Sequence, residues 1–196
     1  CGPFAPEVYR LPFPNFYRYA DGKTMDEFVD LELKRLNESG YNLVDPSSVA
    51  AIIIEPVQGE GGFNVTPQRY LEGLREFCDK HGIVLIFDEV QSGFARTGNW
   101  ASWQNYGVTP DISTYAKSMG SGMPIAAIMG KAHIIDAAGP GTIGGTYIGN
   151  PLACVASSAT IQYMKDINLN QRGIEVGEIM MGRFSQWKSE FSGIGD

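Results

Sequence analysis

Histidine and cysteine are scarce in this chain, and long apolar runs are missing. With only His81 and His133, and with Cys1, Cys78 and Cys154, a Cys/His metal centre is not expected. The cysteines show neither a C-x-x-C pair nor the spacing of a disulfide framework. That usage fits a reducing compartment, so a cytoplasmic protein is expected. No apolar stretch approaches the roughly 20 residues of a membrane-spanning helix, and no signal-peptide pattern is visible, so no membrane association is expected. Positive charge is in deficit too: Lys+Arg number 15 against 22 Asp+Glu, a net charge of -7. Such a balance argues against nucleic acid as a partner. Hydrophobic residues at 43% and charged residues at 19% leave an ordinary globular chain.

Methionine is missing from position 1. Cys1 invites two readings, an N-terminal nucleophile exposed by processing or a piece of a longer chain. Nothing else supports nucleophile chemistry there, so the sequence reads as a piece. Repeats, linkers and low-complexity stretches are absent, and 1–196 reads as one unit.

Residues 1–22, rich in proline and aromatics, read as loop. Thr24 followed by Glu27 forms a capping box, with Phe28, Val29, Leu33 and Leu36 at helical spacing behind it and Gly40 placed to end the helix. "AAIIIEP" (50–56) reads as a fully buried strand, and "GEGGF" as a flexible loop. Thr66-Pro67 opens a helix with proline at its first position. Its apolar face carries Tyr70, Leu71, Leu74, Phe77 and Cys78, and Gly82 closes it. "IVLIFDE" (83–89) is a second buried strand. Strand, helix, strand predicts a βαβ unit and hence a mostly parallel sheet flanked by helices, an α/β fold. "DISTYA" (111–116) and "IAAIMG" (125–130) read as two more strands. Asn150-Pro151 opens a last helix, with Leu152, Val155, Ala159 and Ile161 apolar.

Open α/β sheets bind ligands at the carboxyl ends of their strands. Here the strands end in Glu55, in Asp88-Glu89 and in Lys117, which delivers acid, acid and base to one edge. Charges at apolar strand ends are costly unless partnered. Taken singly, Asp88 can be a loop-capping acid and Lys117 a surface cation. In a functional reading Asp88 faces a cationic ring nitrogen and Lys117 is a nucleophile in a partly desolvated site. Two other motifs fail. "GPGTIG" (139–144) matches G-x-G-x-x-G but follows no strand, and "IVLIFDEV" resembles an ATPase strand with no phosphate-cradling G-x-x-x-x-G-K-[ST] to serve it.

Four segments occur in order: "IIIEPVQGEGGF", "FDEVQSGFARTG", "AKSMGSGMPIAAIMG" and "GGTYIGNPLACVA". Together with the opening "GPFAPEVYRLPFPNFYR" they resemble the class III pyridoxal-phosphate-dependent aminotransferases, with the 4-aminobutyrate enzymes as the nearest likeness. The resemblance covers essentially the whole chain. It implies an internal part of the large domain of a fold-type-I enzyme, with the N-terminal segment and the C-terminal small domain outside residues 1–196. The implied reaction is transamination of a terminal amine to 2-oxoglutarate; acetylornithine, ornithine or another ω-amine is the runner-up donor. Lys117 would form the internal aldimine with pyridoxal 5'-phosphate and act as general acid/base. Asp88 would pair with the pyridinium nitrogen, Val90 would pack on the ring and Gln91 would bond its 3-hydroxyl. Thr146 would bind the phosphate of a neighbouring subunit, which implies a homodimer. Glu55 would stand near the substrate amine, and Glu60 would pair with an arginine outside this chain. If the pleat persisted past the strand, Asp88 and Val90 would point the same way. Ala95 and Ser121 stand where many relatives carry glycine. A different reading also stays open: these residues alone form a non-catalytic piece.

Overall fold

The computed structural model describes residues 6–142 and 144–195; Cys1, and Ile143 within "GPGTIG", lie outside them. A single helical turn, α1 (Phe16–Tyr19), interrupts the predicted loop, its start capped by the Asn15 side chain. The prolines precede this turn, so none removes one of its N–H donors. Helix α2 (Met25–Asn42) begins at Thr24 with the complete capping box to Glu27. It runs past Gly40, since a glycine inside a helix weakens it by about 1 kcal/mol without ending it. Strand β1 (Ala51–Ile54) leads into a small antiparallel hairpin, β2 (Val57–Gln58) with β3 (Asn64–Val65), where a flexible loop is expected from sequence. Helix α3 (Gln68–His81) starts one residue after Pro67 and ends on Gly82, whose φ of 69° is the left-handed conformation that terminates helices.

Strand β4 (Val84–Asp88) pairs in parallel with β1, Ala51 opposite Val84 and Ile54 opposite Phe87, and so closes the predicted βαβ unit. Strand β5 (Ile112–Tyr115) pairs in parallel with β4, and β6 (Ala127–Gly130) runs antiparallel to β5. The sheet order is β1-β4-β5-β6. After the short helix α4 (Ala132–Ile135), Asn150 caps α5 (Pro151–Asp166) by accepting from the N–H groups of Leu152 and Ala153. A 22-residue helix, α6 (Leu169–Glu190), follows, so α5 is not the last helix, contrary to the sequence expectation. The structure is α/β with a mostly parallel sheet, as the alternation of strand and helix patterns predicts.

The main core lies between the sheet and the α2/α3 pair. Phe28, Val29, Leu71, Leu74, Cys78, Leu85 and Phe87 are all essentially inaccessible there. Each of the buried Phe, Val and Leu side chains contributes about 1.5–3 kcal/mol relative to exposure. Two apolar segments depart from their expected burial. β1 is an edge strand with alternating exposure, and Ile53 is 61% exposed. The apolar run is there, but only one face of it meets the helices. In α5 the buried residues are Ala153, Ser157 and Met164, whereas Leu152 and Val155 face out.

Candidate functional site

The parallel pairing of β1, β4 and β5 brings their carboxyl ends to one edge, and the predicted acid, acid and base arrive there together. A cleft of about 390 Å³ opens at this edge, lined by Val57, Gly59, Phe63, Gln91, Ser92, Arg96, Thr97, Lys117 and Ser118. That volume falls within the range of small-molecule sites.

Lys117 opens a 3-10 turn (Lys117–Gly120) directly after β5, and its own φ is 47°. A non-glycine residue held left-handed is strained by about 1–2 kcal/mol, and such strain gathers at functional sites. Its side chain is exposed to the cleft and donates from Nζ to Gln91 Oε1 at 2.8 Å. The turn does not float, because α5 packs against it and Met119 is buried with Ala101 and Tyr115.

Asp88 is the last residue of β4. Its Oδ1 accepts from the Val90 N–H at 3.0 Å and from Thr114 Oγ1 at 3.3 Å on the neighbouring strand. The Val90 bond folds the chain into a turn, so the pleat stops at Asp88 and the condition for Asp88 and Val90 to point the same way is not met. Among the described residues Oδ2 takes no hydrogen bond, so one carboxylate oxygen remains for a cationic partner.

Glu89 goes the other way, into the protein. It is 1% exposed. Its carboxylate accepts from Ser92 Oγ (2.5 Å), the Ser102 N–H (3.0 Å), Ser102 Oγ (2.7 Å) and the Trp103 N–H (3.0 Å). Four donors on one carboxylate satisfy a buried charge that would otherwise be prohibitive. This shapes the loop from 89 to 103 that carries Gln91 and Arg96. Sequence inspection gives Glu89 no such part; the serine at i+3 is the one local sign of it. The same loop is stiffened by Phe94, edge-on to Tyr115 at 5.6 Å, and by left-handed φ values at Phe94 and Ala95.

The Glu55 carboxylate accepts the Gly59 N–H at 2.8 Å and so ties β1 to the hairpin. Glu60 is exposed at the hairpin tip. Thr146 is exposed in the segment leading to α5 and is not among the residues lining the cleft. The structure thus gathers Glu55, Asp88, Gln91 and Lys117 at one edge, with Gln91 and Lys117 lining the cleft itself, and leaves Glu60 and Thr146 exposed and outside that lining. Buried Cys78 is not a competing nucleophile: burial pushes its thiol up to about 12.

Comparison with known proteins adds the following. The family model described as "Aminotransferase class-III" matches residues 1–196. A Bacillus subtilis protein named "Probable 4-aminobutyrate aminotransferase" is 42% identical over 100% of this chain and 45% of its own length. A "5-aminovalerate aminotransferase" of Pseudomonas aeruginosa is 46% identical over 79% of this chain and 36% of its own length. A crystal structure of taurine:2-oxoglutarate aminotransferase from Bifidobacterium kashiwanohense, in complex with PLP and glutamate, superposes with a TM-score of 0.88 at 34% identity. It covers 95% of this chain and 43% of that one. The chain therefore spans less than half the length of these curated relatives.

Proposed function

Because the chain belongs to the class-III aminotransferase family, we propose that it supplies the central part of the cofactor-binding domain of an enzyme transferring the terminal amino group of an ω-amino acid, 4-aminobutyrate foremost, to 2-oxoglutarate. The observation that carries this reading is Lys117: a strained, cleft-facing lysine at the carboxyl edge of a parallel sheet, its amine aimed by Gln91 at 2.8 Å.

The residues present fit pyridoxal phosphate by their chemistry. Lys117 offers a primary amine for covalent attachment, Asp88 a carboxylate oxygen without a partner among the described residues, and Gln91 an amide able to serve the ring hydroxyl once the lysine is engaged. When bound, the cofactor supplies an electron sink for the carbanion left when the substrate loses a proton. This chain's residues supply the rest. Asp88, held by Val90 and Thr114, would offer its carboxylate to a ring nitrogen. Lys117 Nζ takes the proton from the amine-bearing carbon and returns it elsewhere, a general acid/base role that requires the amine to stay within hydrogen-bonding reach. Glu55 holds the hairpin wall of the cleft. Glu60, on the exposed tip, is free to meet an arginine from elsewhere. Thr146, exposed and outside the lining of the cleft, suits a phosphate bound by a second copy, so the working unit in this reading is a homodimer. The named activities of the relatives, 4-aminobutyrate, 5-aminovalerate and taurine among them, support an amine at the end of an acidic chain.

The test is borohydride reduction of the full-length enzyme loaded with pyridoxal phosphate, followed by peptide mass spectrometry. The pyridoxyl group is expected on Lys117, and Lys117→Ala is expected to lose both the adduct and transamination. A panel of 4-aminobutyrate, 5-aminovalerate, ornithine and acetylornithine against 2-oxoglutarate ranks the donors. An adduct on another lysine, or activity surviving in Lys117→Ala, overturns the reading. The short span of the chain supports a narrower reading for residues 1–196 alone, a scaffold without turnover, and the same reduction on the isolated chain separates the two.

A further inference from the structure

We propose that Gly59 is a positioning residue for Lys117, acting through the Gln91 amide. This rests on the reading of Lys117 as the reactive lysine. Gly59 is buried, and its backbone is pinned from three directions. Its N–H donates to Glu55 Oε2 at 2.8 Å, and its carbonyl accepts from the N–H groups of Gly62 and Phe63 at 3.0 and 3.2 Å. Its φ is not in the left-handed region, so the backbone does not itself require glycine here. Space does. A Cβ at position 59 would stand 2.5 Å from Gln91 Cδ, 2.5 Å from Oε1 and 2.9 Å from Nε2.

That Oε1 is the atom that accepts from Lys117 Nζ. The bare Cα of residue 59 is thus the surface on which the Gln91 amide rests while it holds the lysine. Since the hairpin is tied to Glu55, an added methyl cannot be absorbed by the backbone and must push the amide. The amide is the far end of a flexible side chain, so it moves at little cost in stability. The consequence falls on Lys117, which loses its acceptor.

The experiment needs no cofactor. The full-length protein, freed of cofactor so that Nζ can rest on Gln91, is labelled at its amines with trace acetic anhydride, and the Lys117 rate is read by peptide mass spectrometry against Lys34 on α2. In Gly59→Ala, Lys117 is expected to label about tenfold faster, the low end for one lost hydrogen bond to an ammonium group, with the urea midpoint nearly unchanged. Gln91→Ala is expected to give the same increase, and the double variant Gly59→Ala/Gln91→Ala no more than either single one, because both changes remove one contact. Wild-type labelling in Gly59→Ala, or increases that add in the double variant, overturn the proposal. Should Gly59→Ala fail to fold, the double variant, which lacks the clash, must fold and label like Gln91→Ala; its failure to do so also overturns it. Absence of a pyridoxyl adduct on wild-type Lys117 would count against the functional reading and leave this labelling result intact.

Discussion

Both carboxylate oxygens of Glu89 are engaged inside the protein, which sets it apart from Asp88 one residue earlier. Removing it in Glu89→Ala leaves two backbone N–H groups and two hydroxyls facing a void. Urea unfolding should show a loss on the order of 3 kcal/mol, with an unchanged slope if the loss is in the folded state alone. Ser121 makes the opposite case. It is exposed and sits at φ 47°, where glycine is unstrained. Ser121→Gly should stabilise by about 0.5–1 kcal/mol in the same measurement, the relief of left-handed strain exceeding the extra entropy of the unfolded chain. Ala95, at φ 68°, is a second small residue in a conformation that suits glycine. From sequence these two look like small-for-small changes of no consequence, because φ is not written in a residue's size.

At the scale of elements, Asp111 ties the sheet to its helix. Its carboxylate accepts from Arg75 on α3 and from the Leu85 N–H in β4, and it pairs with Lys131 just after β6. Burial pushes the Asp111 carboxyl up, but the hydrogen bonds from Lys131, Leu85 and Arg75 outweigh it and hold the group below the usual carboxylate range. With the folded value below the unfolded one, the stabilisation is present above the unfolded value of about 3.9 and is lost as pH falls through the folded value. Unfolding free energy measured from pH 6 downward should drop more steeply in wild type than in Asp111→Asn, which lacks that group. The elements legible in the sequence are those with local chemistry at their ends: Thr24 with Glu27, Pro67 with Gly82, and Asn150 each mark a boundary within a residue or two. Helix α6 has no such mark. Its first residue follows a left-handed Asn168 with no side-chain cap, and Gly173, Gly177 and Gly182 break its pattern. The Leu152 and Val155 positions mislead for a different reason. Apolar side chains occur all round α5, and only packing decides which of them go inside.

For the whole molecule, the site was legible to the extent that it follows from topology. Parallel strands joined by a crossover must bring their carboxyl ends to one edge, so Glu55, Asp88 and Lys117 could be grouped from the strand pattern alone. Contacts between segments far apart in the chain could not be read that way. The rest of Gln91 against Gly59, and the grip of residues 102 and 103 on Glu89, depend on how loops fold over the edge.

Strand β1 lies at the margin of the four-stranded sheet. It ends the sheet order, so along one side its peptide groups have no partner strand among the described residues, and the sequence there is Ala-Ile-Ile-Ile with Ile53 turned outward. Uncharged, β-branched and open, such an edge is a template for other chains. Residues 1–196 produced alone should therefore self-associate on warming. Ile53→Lys, which sets a charge on that edge, should raise the temperature at which light scattering begins. Equal onset in the two proteins would show that the strand is not where the chains first join.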